Sequence, residues 1–216
     1  MKIIVSIICS IFLFLGMGSL SSVKAENIVI KQEKVTESEK AKFAEALRRL
    51  HRKTTISGSF FQTDNNSKQG KGALGKFYFQ QPRKINFTYS PPNNVEVISN
   101  GSQVIIKEEK RGRKNKKYYP ASSTPLKFLV KDPNDYAYSD VVKDIYSKED
   151  SFFVNVIQDS IFGKNNMTII FSNTDLSLTG WVVHEKKNNI EVELYDVVYD
   201  KDLNQDLFYV EPNTID

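Results

Sequence analysis

Cysteine occurs once in the 216 residues, as Cys9, and histidine twice, as His51 and His184. A disulfide framework, a thiol nucleophile and a Cys/His metal site therefore have almost nothing to be built from. There is no G-x-S-x-G elbow, and the carboxylates are scattered over loops without an opposed pair, so acyl-transfer and glycosidase chemistry also lack their parts. Ten glycines and seven prolines are too few for a low-complexity or collagen-like chain. Charge of one sign is scarce as well: thirty basic against twenty-six acidic residues leave a formal +4. What remains is a chain that is 40% hydrophobic and 12% aromatic, long enough to bury one sizeable core, with no enzyme, metal or cofactor signature.

The N-terminus has export character. Met1-Lys2 precedes an apolar run over residues 3–15, and Val23-Lys24-Ala25 ends in the small-x-small pattern that a signal peptidase reads. The run is shorter than the roughly 20 residues a membrane-spanning helix needs. Residues 1–25 are predicted to be a cleaved signal, with the mature chain starting at Glu26. Cys9 is lost with the signal, and removal of Lys2 and Lys24 leaves +2. A nearly neutral exported chain makes nucleic acid a poor partner.

In the mature chain, 26–35 reads as a mobile lead-in. From Ser38, a plausible N-cap, Phe43, Leu47 and Leu50 repeat at helical spacing, and the helix is predicted to end near Lys53. Period-2 alternation follows. Strands are expected around 56–61, 77–79, 85–89, 95–98 and 104–106, with turns at 64–67, 91–94 and Asn100-Gly101. Residues 107–117 hold seven basic residues and no apolar one, a solvated loop or hairpin tip. Ser123-Thr124-Pro125 is expected to open a short helix through Leu126, Phe128, Leu129 and Val130. A weak helix signal covers Tyr138–Tyr146. Five more strands are expected at 151–158, 166–172, 176–184, 190–199 and 207–211. About ten evenly spaced strands without a linker or repeat indicate one antiparallel sheet in a single domain over 26–216.

Two motifs invite over-reading. Gly70-Lys71-Gly72-Ala73-Leu74-Gly75 has dinucleotide-binding spacing, but a polar turn precedes it and a strand follows, where that motif needs a strand and then a helix. His51 and His184 read as ordinary polar positions. The basic stretch, comprising Lys107, Lys110, Arg111, Arg113, Lys114, Lys116 and Lys117, either guards a sheet edge against aggregation or docks on anionic headgroups or an acidic partner. The remaining signal is a set of aromatic and branched residues at inward parity: Phe60, Phe77, Phe79, Ile85, Phe87, Tyr89 and Val97. With Leu126, Phe128 and Leu129 as a cover, such a face either packs solid or encloses a cavity.

The stretch GKFYFQQPRKINFTYSPPNNVEVISNG at 75–101 and YYPASSTPLKFLV at 118–130 resemble the outer-membrane lipoprotein carrier family (LolA type), in the form seen in α-proteobacterial members. Ser59-Phe60-Phe61-Gln62, Leu176–Trp181 and Leu207-Phe208 also fit, in order along the chain. The resemblance implies a mainly β fold: a single curved antiparallel sheet forming an incomplete half-barrel, closed by a helical lid over a hydrophobic cavity. It further implies a periplasmic chaperone. Its partners would be acylated lipoproteins, the inner-membrane ABC transporter that releases them, and the outer membrane or an acceptor there. The rival on the same fold is an envelope-stress or lipoprotein-sensing module. The family's lid-holding arginine is replaced by Gln81, which retains a hydrogen-bond donor but no charge, while Arg83 stands about 7 Å further along. The family's Ser-Asp-Gly turn is Ser99-Asn100-Gly101.

Overall fold

A computed structural model of the chain describes residues 35–64, 72–121, 127–129, 131–160, 163–184 and 189–211. Helix α1 (Glu37–Arg52) opens on Thr36, whose hydroxyl accepts from the Glu39 backbone while the Glu39 carboxylate accepts from the Thr36 N–H. This capping box, rather than Ser38, starts the helix, because Thr36 and Glu39 satisfy two orphan donors reciprocally. Its apolar stripe of Phe43, Ala44, Leu47 and Leu50 is fully or almost fully buried.

Eleven antiparallel strands follow: β1 (Thr55–Asp64), β2 (Ala73–Gln80), β3 (Lys84–Tyr89), β4 (Val95–Ser99), β5 (Gln103–Lys110), β6 (Arg113–Pro120), β7 (Val142–Lys148), β8 (Ser151–Ser160), β9 (Gly163–Ser172), β10 (Leu178–His184) and β11 (Asn189–Tyr199). They form one sheet in the order β6-β5-β4-β3-β2-β1-β11-β10-β9-β8-β7. The chain thus makes two meanders, β1–β6 and β7–β11, joined where β11 returns to pair with β1. Among the described residues β6 and β7 remain the two edges, and the curved sheet is not closed into a barrel. The connection between those edges carries a 3-10 turn (Lys127–Leu129) and helix α2 (Pro133–Ala137), capped by the Asp132 carboxylate.

The lid elements and α1 pack together over the concave face. Phe43 contacts Tyr136 of α2 and Phe171 of β9 edge-on, at ring-centroid distances of 6.2 and 6.0 Å. Lys42 lies 4.4 Å over the Phe152 ring and donates to Asn173. The main core runs continuously from this helix to the far strands. On the opposite face, Ile98 and Ile105 are buried outside it, and the C-terminal 3-10 turn (Gln205–Phe208) lies against β3 and β4. Asn86 donates to the Leu207 carbonyl at 2.6 Å to fasten that segment.

Residues 107–117, expected as a solvated loop or hairpin tip, are the hairpin: they form the distal arms and tip of β5–β6, since backbone pairing continues through Lys110↔Arg113. Other sequence-based expectations are corrected. The helix expected over 138–146 is α2 at 133–137, followed by strand β7. The strand expected at 207–211 is instead the C-terminal 3-10 turn, whose start is capped by Asn204. The short helix expected after Pro125 is described only as the 127–129 turn; Leu126 and Val130 lie outside the described residues. So do 26–34 of the lead-in, 65–67 of the first turn, and Gly70 and Lys71.

Candidate functional site

Strand register assembles the concave face in rows. Phe60 pairs across Gly75 with Tyr89; Gly58, Phe77, Phe87, Val97 and Ile106 form the next row; Ile56, Phe79, Ile85, Ser99 and Val104 form the third. All seven candidate lining residues, Phe60, Phe77, Phe79, Ile85, Phe87, Tyr89 and Val97, therefore share one face, and all are buried. Their rings touch. Phe60 meets Tyr89 at 4.9 Å and Phe87 at 5.3 Å, both edge-on; Phe79 meets Phe77 at 4.9 Å and Phe87 at 5.6 Å. Edge-to-face and tilted pairs at these distances add favourable quadrupole terms to area burial. Gly75 makes the Phe60–Tyr89 contact possible: a Cβ there would lie 2.4 Å from the Phe60 ring and 2.5 Å from the Thr88 carbonyl. This is the role of the glycine that mimicked a phosphate loop.

One polar pair interrupts the aromatic face. Gln62, fully buried, accepts a 2.7 Å hydrogen bond from the Tyr89 hydroxyl. Burial pushes that hydroxyl far above the ordinary tyrosine range, so it stays a neutral donor.

The lid turn is held by two carbonyl contacts from separate elements. His51 Nε2, from the last turn of α1, donates to Phe128 O at 3.0 Å; the ring carries its proton there because a carbonyl only accepts. Gln81 Nε2, between β2 and β3, donates to Leu129 O in a long contact of 3.5 Å. Phe128 is fully buried, and Leu129 nearly so. Arg83 is not at the lid: it adopts φ +67° and packs beside Gly101, whose added Cβ would lie 2.9 Å from the Arg83 Cβ. Phe128 takes its ring partner from β10. It packs edge-on to Trp181 at 6.3 Å, and Trp181 in turn meets Phe87 at 6.0 Å. Sequence reasoning singled out neither Trp181 as the bridge nor His51 as a lid contact. Both contacts join residues distant along the chain.

A half-open cleft of about 560 Å³ lies at the C-terminal end of α1, lined by Arg49, Leu50, Arg52, Asp175, Leu178 and Tyr199 among others. Its arginines are engaged: Arg49 and Arg52 converge with Arg48 on Glu45 at 3.0–3.2 Å, and the three hold that carboxylate down to about 2. The basic hairpin is exposed along β6. Lys107 pairs with Glu96 at 3.3 Å, and Lys116 pairs with Glu211. Among the described residues Lys110, Arg111, Arg113, Lys114 and Lys117 have no carboxylate partner. No group of three or more His, Cys, Asp or Glu suits a metal ion among the described residues, and no helix there is long and apolar enough to cross a membrane.

An open, strongly curved antiparallel sheet whose aromatic concave face lies under a crossover lid defines a sheet-and-lid class of proteins. Residues 51–211 match the family described as outer membrane lipoprotein carrier protein LolA, and the chain belongs to that family. No curated protein matches the sequence. Among solved structures the chain is similar to MucB (8% identity, 81% of this chain and 64% of that one, TM-score 0.46). It is also similar to the lipoprotein LppX of Mycobacterium tuberculosis (8% identity, 77% and 97%, TM-score 0.38) and to LprF of Mycobacterium bovis (12% identity, 78% and 96%, TM-score 0.38). The chain spans less than two thirds of the length of MucB.

Proposed function

We propose that the protein is a periplasmic carrier that takes the acyl chains of lipoproteins into its aromatic interior and delivers them to the outer membrane. Residues 1–25 are its cleaved export signal, and 26–216 work as a single monomeric domain. Cargo reaches it from the inner-membrane ABC transporter that releases lipoproteins, and leaves to the outer membrane or an acceptor there. The basic β5–β6 hairpin supplies the docking contact at anionic headgroups.

The observation that carries this reading is an aromatic face, apolar but for the Gln62–Tyr89 pair and Ser99, covered by a short turn that two side-chain contacts hold. A chain of about fifteen methylenes gains about 12 kcal/mol on leaving water, at about 0.8 kcal/mol each. A carrier that kept all of that would not release its load. Here the rings of Phe60, Phe77, Phe79 and Phe87 already bury one another. Entering cargo must break those contacts and open the lid, and the empty state recovers both on release, which brings net affinity down to a transferable range.

The test is lipoprotein release from spheroplasts by Phe87→Glu. A folded variant places a carboxylate at the junction of four rings and loses release activity. Full activity in that variant overturns the assignment.

A further inference from the structure

Two buried polar side-chain atoms have no hydrogen-bond partner among the described residues, Gln80 Oε1 and Trp181 Nε1. Gln80 sits at the opposite parity of β2 from Phe77 and Phe79. Trp181 is different: it is the only tryptophan in the chain, fully buried, and flanked across β10 by Ile169 and Val192. Its ring stands between the floor and the lid, edge-on to Phe87 on one side and to Phe128 on the other. Folded proteins pair nearly all of their buried donors, because an unpaired N–H forfeits its hydration without return. A phenylalanine or leucine would fill an apolar core position without leaving such a donor. The indole that carries the orphan donor packs against the Phe128 ring of the lid turn.

We propose that Trp181 Nε1 donates a hydrogen bond to the carbonyl oxygen of the ester or amide at the head of a bound acyl chain, once Phe128 has moved aside. The ligand class is therefore acyl esters and amides, as opposed to hydrocarbons or alkyl ethers of the same length. The bond places the carbonyl end beside the lid and runs the methylenes along the rings that Phe87 joins. This inference rests on the carrier reading, since it needs a chain in the same interior.

The experiment compares two probes that differ only at the carbonyl: palmitoyl lysophosphatidylcholine and its hexadecyl ether analogue, both below their micellar concentration. Their binding is read by calorimetry for the wild type and for Trp181→Phe. The wild type is expected to favour the ester about fivefold, the worth of one hydrogen bond. Trp181→Phe should lose that preference and bind the ester and the ether within twofold of each other. On the unmodified protein, the ultraviolet resonance Raman band that reports indole N–H hydrogen bonding should shift with the ester and not with the ether. That second reading stands even where the variant folds poorly. Equal wild-type affinities, an ester preference that survives Trp181→Phe, or an unmoved indole band overturns the proposal and leaves the carrier reading intact. Failure of both probes to bind overturns the two together.

Discussion

The lid makes opposite predictions for two neighbouring contacts. His51→Ala removes the 3.0 Å bond to Phe128 O, a hydrogen bond whose net worth is about 1 kcal/mol. The carbonyl it leaves behind is free to find water as the turn lifts. The open state therefore gains about fivefold relative to the closed one. Because only the open state admits a chain, the apparent affinity for a pyrene-labelled hexadecanoate rises by up to the same factor. Gln81→Arg works the other way. The present contact is long, at 3.5 Å, and uncharged, whereas a guanidinium makes a charge-assisted bond roughly twice as strong. The closed state gains about 1 kcal/mol, probe affinity falls about fivefold, and transfer from a loaded donor slows with it. Fluorescence titration of the wild type and both variants measures the effect, and His51→Gln, which restores a donor, should return affinity toward wild type. The reasoning is refuted if the two substitutions shift affinity in the same direction, or if neither shifts it by twofold.

Three further outcomes follow from the packing and charge. Gly75→Ala drives a methyl into the Phe60 ring and the Thr88 carbonyl, and should cost about 1–3 kcal/mol in urea unfolding; an unchanged midpoint contradicts the row assignment. Glu45 titrates at about 2 in the folded protein against 4.5 for the ordinary group, because Arg49, Arg48 and Arg52 hydrogen-bond to it. A depressed carboxylate stabilises fully above about pH 5, and that contribution drains away as pH falls toward about 2. The stability gap between wild type and Glu45→Gln should accordingly close over that window in acid melts, and a gap independent of pH excludes the arginine cluster as its source. Neutralising Lys110, Arg111, Arg113 and Lys114 to glutamine should weaken binding to phosphatidylglycerol vesicles at low salt by about a hundredfold or more, at about 1 kcal/mol per basic residue. Equal flotation of wild type and variant, or equal binding to neutral vesicles, removes the hairpin as a membrane contact.

Period-2 alternation was enough to place most of the aromatic face, because Phe77, Phe79, Ile85, Phe87, Tyr89 and Val97 keep strict inward parity on three paired strands. Gln62 shares the parity of Phe60 but was not singled out, because the strand was expected to end at residue 61 whereas β1 runs to Asp64 and brings Gln62 to the Tyr89 hydroxyl. Strand β7 was misread because a bulge between Val142 and Asp144 shifts parity, so its buried residues, Val142 and Ile145, fall three apart and imitate a helix. The apolar run Leu207–Val210 imitated a strand, yet only Phe208 is buried and Tyr209 is 59% exposed. Strand β5 was cut short at Ile106, where its apolar residues end; the pairing continues with Lys107 facing Glu96. The lid contacts were beyond local pattern altogether: Phe128 meets residues 51 and 181, and only the crossover between the two meanders brings them together.

The central claim is that the concave face holds acyl chains of lipoproteins. The most direct measurement is native mass spectrometry of the mature protein after incubation with lipoprotein-loaded spheroplasts. The account predicts a one-to-one complex with an acylated lipoprotein that disappears when the acyl groups are absent. A bare protein under both conditions contradicts it, and the aromatic face is then a solid core alone.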